Sequence, residues 1–104
     1  MTVVSFTALH MKPGASWDDI QKQIKKGADL ARKHGAENVT TLAGMAAGTA
    51  TGTLTMLTSS VDWTSYGKFQ DAFNADPEAQ ALMADPNNPV AKWDTYVLQT
   101  IPDI

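Results

Sequence analysis

The chain has no cysteine among its 104 residues. Disulfide bonds, thiolate nucleophiles and metal or iron–sulfur sites held by cysteine are therefore excluded. Long hydrophobic runs are missing as well, because none approaches the roughly 18 residues that a membrane-spanning helix needs. The N-terminus also lacks the basic segment and the extended apolar core of a secretory signal peptide. These absences predict a cytoplasmic protein with no membrane partner.

Charge is sparse, with 18% charged residues and a formal net charge of −3. Basic residues cluster no further than two pairs, Lys25 with Lys26 and Arg32 with Lys33, on the polar side of a predicted helix. A nucleic-acid surface needs several cations that contact phosphates at once. We therefore exclude nucleic acid as a partner, and the chain length predicts a single domain over residues 1–104.

Four segments are typical of β-strands. Residues 39–47 and 53–59 are rich in threonine, which suits a pleated, half-buried surface. They are joined by a turn over residues 48–52, whose two glycines permit positive φ. Residues 2–11 and 93–101 predict one further strand near each end of the chain.

Two helices are predicted between these strands. Ser16 is a suitable N-cap for the first, because its hydroxyl can accept a backbone N–H, and Gly35 can provide the left-handed residue that ends it. The second begins after Ser60 or Asp62, and a short helical segment restarts at Asp76, which is followed by proline. The resulting order, β-α-β-β-α-β, predicts an α+β protein whose four-stranded antiparallel sheet carries both helices on one face.

The other face of that sheet is predicted to be apolar. Val4, Phe6 and Ala8 share one face of the first strand, and the residues between them share the other. Residues 39–47 and 53–59 contain no lysine, arginine or glutamate, so the uncovered face is left with threonine, serine, alanine, methionine and leucine. Such a surface is typical of an interaction site. We expect a homodimer through this open face, and a monomer with a mildly polar exposed sheet is the alternative.

Four local patterns carry a resemblance: Ser-Trp-Asp-Asp-Ile at residues 16–20, Arg-Lys-His-Gly-Ala at 32–36, Asp-Trp at 62–63 with Tyr-Gly at 66–67, and Phe-Asn-Ala-Asp-Pro at 73–77. Together they resemble the dimeric α/β-barrel superfamily, and within it the small NIPSNAP-like and antibiotic-biosynthesis-monooxygenase-like proteins. The resemblance covers nearly the whole chain, and it implies a ferredoxin-like fold and a barrel shared between two subunits.

Members of that superfamily include cofactor-independent monooxygenases, haem-degrading enzymes, small-molecule isomerases and proteins of unknown function. The resemblance implies that a haem-degrading member would carry an axial histidine after the second helix. No histidine follows His34 in this sequence, so we expect no cofactor.

His10 and His34 are the two histidines of the chain. His10, at the end of the first strand, is the candidate catalytic residue, since imidazole can act as a general base or polarise a ligand near neutral pH. A hydrogen-bonded residue at the edge of the sheet is the alternative. His34 lies in the last turn of the first helix, where the helix dipole favours a cation, so we expect it to be structural. With no carboxylate at ligand spacing, the histidines predict no metal site.

Aromatic side chains supply the remaining candidates. Tyr66 and Trp93 combine an apolar ring with a polar group, so both are predicted to line a cavity for an aromatic or polycyclic ligand. Trp17 is a further ligand-binding candidate. Phe69 and Phe73 are expected to be plain core, and core packing is the alternative for the whole set.

Two functions remain open from these observations. The first, which the resemblance implies, is binding or cofactor-independent oxidation of a small apolar or aromatic molecule, with His10, Tyr66 and Trp93 around one cavity. The second is a non-catalytic homodimer with a stress-related or regulatory role, favoured by the absence of a recognisable catalytic set. The sequence does not decide between an enzyme and a binding protein.

Overall fold

The computed structural model describes residues 2–45 and 52–101. In these ranges the chain forms four strands and three helices. In chain order they are β1 (Val3–Met11), α1 (Trp17–Lys33), β2 (Glu37–Ala43), β3 (Leu54–Ser60), α2 (Trp63–Ala75), α3 (Pro77–Ala84) and β4 (Val90–Gln99). None of these helices has both the length and the apolar character needed to cross a bilayer.

The four strands form one antiparallel sheet in the order β2-β3-β1-β4. The first strand of the chain therefore lies inside the sheet, between the third and the fourth. All three helices meet the same face of this sheet. This is the ferredoxin-like topology, and it confirms the predicted α+β fold with a four-stranded antiparallel sheet.

The bounds of β2 and β4 differ from the prediction. β2 starts at Glu37 and ends at Ala43, whereas residues 46–51, with the predicted end of this strand and most of the turn, lie outside the described residues. β4 starts at Val90, before the predicted start at Trp93, because Val90 pairs with Met11 of β1. Pairing with the central strand, and not aromatic content, decides where β4 begins.

The helix ends use caps that the sequence predicts. Ser16 Oγ accepts the backbone N–H of Asp19 at 3.1 Å where α1 begins, and Gly35 follows its end with a φ of +92°. Of the two candidates for α2, Asp62 is the N-cap, because its carboxylate accepts the backbone N–H of Ser65 at 2.7 Å. The same hydrogen bond lowers the pKa of Asp62.

The core lies between the helices and the inner face of the sheet. Its central cluster consists of Leu9, Ile20, Ile24, Leu54 and Val90. Ile20 and Ile24 belong to the apolar stripe of α1, whereas the other members come from three different strands. Half-buried Met11, Met56 and Trp93 pack against this cluster.

Side chains of each strand alternate between this inner face and an outer, open face. Leu9 of β1 pairs with Leu54 of β3 and with Trp93 of β4, so these three side chains share the inner face. Val4 and Phe6 therefore lie on the open face, opposite to the residues between them, as predicted. No helix of the described chain covers this open face.

A buried carboxylate joins the ends of two helices. Asp76, the N-cap of α3, is 6% exposed. Its Oδ2 lies 2.6 Å from His34 Nε2 and 3.1 Å from Lys33 Nζ, and its Oδ1 accepts the backbone N–H of Glu78 at 2.8 Å. The hydrogen bond with His34, followed by those with Glu78 and Lys33, lowers the pKa of Asp76 from 3.8 to about 2. This contact holds the end of α1 against the junction of α2 and α3.

We expect Asp76→Asn to lower stability near neutral pH, because asparagine can still cap α3 but offers no charge to His34 and Lys33. The folded state holds the pKa of Asp76 below its value in the unfolded chain, so the carboxylate stabilises the fold above about pH 4 and ceases to do so as the pH falls toward 2. The melting temperature of the wild type should therefore fall more steeply over this interval than that of Asp76→Asn. Asp71→Asn, an exposed control on α2, should follow the wild type. Parallel profiles for wild type and Asp76→Asn would contradict this role.

Candidate functional site

The inner face of the sheet and the helices enclose a cavity of about 110 Å³. Side chains of β1, β3 and β4 form one wall, and side chains of all three helices form the others. The apolar part of the lining includes Leu9, Ile24, Met56, Phe69, Phe73 and Trp93. Asn74 and Met83 also line the cavity and are exposed, so it reaches the surface between the end of α2 and α3.

The polar part of the lining is uncharged. Its members are Ser5, Thr7, Thr58 and Thr95 from the sheet and Gln23, Gln70 and Asn74 from the helices. Thr7 and Thr95 form a hydrogen bond between hydroxyl oxygens 3.1 Å apart. No aspartate, glutamate, lysine, arginine or histidine is among the described residues that line the cavity. The site therefore suits a neutral molecule, because burying an unpaired charge is costly.

Two of these polar side chains each have one buried atom without a hydrogen-bond partner among the described residues. Gln23 Nε2 and Thr58 Oγ1 are fully buried atoms, and within residues 2–45 and 52–101 neither has a donor or acceptor in reach. Gln23 as a whole is 8% exposed and Thr58 is 1% exposed. Because buried polar groups are nearly always paired in folded proteins, each of these two atoms needs an explanation.

Gly27 leaves part of the cavity open. It lies in the middle of α1, where glycine is less favourable than alanine by about 0.5–1 kcal/mol. Gly27 lines the cavity, and a Cβ atom added to it would meet no atom within 4 Å. A larger side chain here would therefore extend into the cavity. Gly67 in α2 has equally open surroundings but does not line the cavity.

The structure places the predicted ligand-binding residues differently with respect to this cavity. Trp93 lines it. The Tyr66 ring lies outside the lining, 6.0 Å from Trp63 and 6.3 Å from Phe69, and burial raises the pKa of its hydroxyl. Trp17 lies in the first turn of α1, is 44% exposed and is also outside the lining. Phe69, expected to be plain core, is one of the lining residues.

His10 lies on the open face, on the opposite side of the sheet from the cavity. Its Nε2 lies 2.8 Å from Asp94 Oδ2, and Lys92 Nζ lies 3.5 Å from the same oxygen. We call these three partly exposed side chains the His10 cluster. His10, Tyr66 and Trp93 therefore do not surround one cavity, which differs from the expected arrangement. Among the described residues, no group of three or more histidine, aspartate or glutamate side chains could hold a metal ion.

Gln23, Gly27 and Thr58 are lining residues that the sequence analysis did not single out. Gln23 and Gly27 each follow an isoleucine of the apolar stripe by three positions, after Ile20 and Ile24. An amide and a glycine on an otherwise apolar stripe are a usable signal of a site. Thr58 offered no such signal, because threonine is common on strands.

Two wider clefts, of about 560 and 530 Å³, flank α1, the first beside α3 and the second beside β2 and β3. The first includes Lys26 and Lys33, the second includes Lys25 and Arg32, and Asp29 belongs to both. Asp29 forms ion pairs with Lys25 at 3.0 Å and with Arg32 at 3.3 Å. These clefts are exposed and charged, so the enclosed apolar cavity is the better candidate site.

Fold and cavity together define a ferredoxin-like α+β protein whose helices enclose a small uncharged cavity. Solved structures share this fold. The chain is similar to an uncharacterized NIPSNAP-like domain protein from Burkholderia xenovorans over 99% of its own length and 88% of that protein's, with a TM-score of 0.75 and 10% identity. It is also similar to a dimeric ferredoxin-like protein of unknown function from Thermobifida fusca, over 96% and 92% of the two chains, with a TM-score of 0.68 and 13% identity.

A third similar structure is a DABB family protein with a ferredoxin-like fold from Mesorhizobium loti, covering 97% of this chain and 99% of the other, with a TM-score of 0.67 and 12% identity. At such low identities the likeness concerns the fold alone. It confirms the predicted resemblance to NIPSNAP-like, ferredoxin-like proteins. No family model matches the sequence, and no curated protein matches it.

We expect Trp93→Ala to lower the free energy of unfolding by about 3 kcal/mol, near the lower end for tryptophan truncation because the side chain is half-buried. Its loss removes packing from the central core cluster. Urea denaturation followed by circular dichroism measures the change. Trp17→Ala is the control, and its exposed side chain should cost less than about 1 kcal/mol. Equal losses for the two variants would show that Trp93 does not pack as described.

Proposed function

We propose that the protein is a homodimeric binding protein for a small, uncharged and mostly apolar molecule, which it holds in the cavity between sheet and helices. The observation that carries this proposal is the apolar cavity that Gly27 leaves open in the middle of α1. Glycine weakens a helix at such a position, and any larger residue would fill the space.

Binding is favoured over oxidation by the chemistry of the lining. Acid–base catalysis needs a titratable group within hydrogen-bond reach of the substrate. The described lining residues include no side chain that titrates near neutral pH. An acid–base role for His10 stays a prediction, and it would act on a molecule at the open face and not on one in the cavity.

Among the predicted ligand-binding residues, Trp93 is the one proposed to contact the ligand directly. It faces the cavity from β4, while Phe69 and Phe73 face it from α2. Aromatic rings on two sides of the cavity suit a flat apolar molecule. Tyr66 would act through its ring contact with Phe69, which lines the cavity, and a ligand-binding role for Trp17 stays a prediction.

A second copy of the chain is the proposed partner for the open face. Tyr96 is 61% exposed and Leu98 is 54% exposed on this face, next to half-buried Val4 and Phe6. An exposed apolar surface of this kind is typical of an interaction site. The Thermobifida fusca protein, which has the same fold, is described as dimeric. The His10 cluster would lie toward the rim, where charged side chains remain hydrated.

Leu98→Lys is expected to convert the dimer to a monomer at micromolar concentration, because it places an unpaired charge within a desolvated apolar interface. Sedimentation velocity measures the change. Met83→Lys is the matched control, since Met83 is 50% exposed but lies on α3, on the helical side of the sheet. A wild-type chain that sediments as a monomer, or a Leu98→Lys variant that remains dimeric, would contradict the proposed interface.

Gly27→Leu is expected to fill the cavity and abolish binding of small neutral aromatic molecules. Toluene is the probe, and the indole N–H signal of Trp93 in a ¹H–¹⁵N NMR spectrum reports its arrival. The wild type should show a saturable shift of this signal and a melting temperature that rises with toluene concentration, because a ligand of the native state stabilises it. Gly27→Leu should show neither effect while remaining folded, since leucine favours helix more than glycine does.

Gly67→Leu is the matched control for this experiment. It makes the same substitution in the interior of a helix, at an equally open position outside the cavity lining. It should bind toluene as the wild type does, and the indole signal of exposed Trp17 should stay in place in every variant. Absence of toluene binding by the wild type, or unchanged binding by Gly27→Leu, would refute the proposed cavity function.

A further inference from the structure

The two unpaired polar atoms of the cavity indicate what kind of ligand it takes. Gln23 Nε2 and Thr58 Oγ1 both lie within an otherwise apolar enclosure. An unsatisfied buried donor or acceptor costs folding free energy, whereas an apolar residue of the same shape would not. Simple core packing therefore does not account for an amide and a hydroxyl at these positions, but recognition of a polar group on a ligand does.

The two side chains come from opposite walls. Thr58 belongs to β3, where it pairs with Ser5 of the central strand, and so lies in the middle of the sheet. Gln23 belongs to α1, which covers the inner face. A molecule held between sheet and helix is thus flanked by a hydroxyl, which both donates and accepts, and by an amide, which offers two N–H donors and a carbonyl acceptor.

The lining also limits the ligand's charge. A carboxylate or a phenolate would need a cation or several donors to replace its hydration, and an ammonium group would need a carboxylate. The described lining residues contain no charged group, and the unpaired buried atoms are one amide nitrogen and one hydroxyl oxygen. The polar part of the ligand is therefore expected to be neutral, and a hydroxyl or a carbonyl is a group of this kind that can pair with both side chains.

The volume limits its size. The cavity measures about 110 Å³, somewhat less than the engineered cavity of about 150 Å³ that binds benzene in another protein. A molecule of about one ring is therefore the upper limit without movement of the walls. A polycyclic ligand, which the sequence analysis considered, would need the helices to move apart.

We propose that the ligand is a neutral molecule of about one ring that carries a hydroxyl or a carbonyl group, and that Gln23 and Thr58 hydrogen-bond to this group. This inference rests on the proposed binding function and adds a specificity to it. Gln23 and Thr58 are the specificity-determining residues, whereas Trp93 and the phenylalanines supply contact area.

Phenol and toluene test this proposal, because they have the same shape and differ only in a hydroxyl against a methyl group. Thr58→Val and Gln23→Met remove the hydrogen-bonding groups with little change in side-chain volume. In each variant the ratio of phenol affinity to toluene affinity should fall roughly 3- to 10-fold, the range expected for one lost hydrogen bond. Thr95→Val is the control: it lines the same cavity, but its hydroxyl is already paired with Thr7. Its ratio should stay at the wild-type value.

A second measurement separates ligand recognition from a structural role. Without ligand, Thr58→Val and Gln23→Met should melt at or above the wild-type temperature, because each removes an unpaired buried polar atom. Thr95→Val should melt close to the wild type, because Thr95 is exposed and water can take its place beside the Thr7 hydroxyl. A gain in stability at buried Thr58 but not at exposed Thr95, both on the inner face of the sheet, is not expected from cavity volume alone.

The outcomes distinguish this inference from the proposal on which it rests. If the wild type binds neither phenol nor toluene, the binding function itself is wrong and the inference falls with it. If it binds both, and neither Thr58→Val nor Gln23→Met changes the ratio, the inference alone is overturned. If these variants melt below the wild type with an unchanged ratio, the two groups are structural, paired through water, and the inference is again overturned.

Discussion

The alternation of side chains along each strand separates the two sides of this molecule, because consecutive residues lie on opposite faces of the sheet. Leu9 of β1 pairs with Trp93 of β4, and the next residue, His10, pairs with Lys92, so neighbours in sequence lie on opposite faces of the sheet. Inner-face side chains belong to the core and the cavity, whereas open-face side chains can meet only solvent or another molecule. A slip by one position would exchange the two sets. The central position of β1, paired along both edges, holds this register.

The sheet thus keeps the apolar cavity apart from the charged side chains on the open face. The cavity has aromatic walls, hydroxyls and amides, and the charged His10 cluster lies on the other side of the sheet. Acid–base catalysis on a buried substrate would need the cavity and a titratable group on the same side of the sheet. Their separation is the physical reason for proposing binding and not acid–base catalysis in the cavity, and it places His10 away from any ligand held there.

The helices decide how much space remains above the sheet. α1 contributes Gln23 and Gly27 to the cavity, and its far end is held by Asp76 to the junction between α2 and α3. Backbones that resemble this one at 10–13% identity differ in most side chains. The backbone arrangement thus leaves the lining free to vary, and function must be argued from the lining and not from the fold.

Local signals in the sequence determined the elements and their order: Ser16, Gly35 and Asp62 cap helices through groups only a few positions away, and strand alternation needs no partner to be recognised. Strand ends were predicted less well, because β4 extends as far as β1 pairs with it. Only the tertiary structure decided which candidates meet. It brought His10 to Asp94, 84 positions away, and enclosed an unpaired amide and hydroxyl in one cavity. Caps and alternation act over a few residues, whereas a site is assembled by contacts between distant segments.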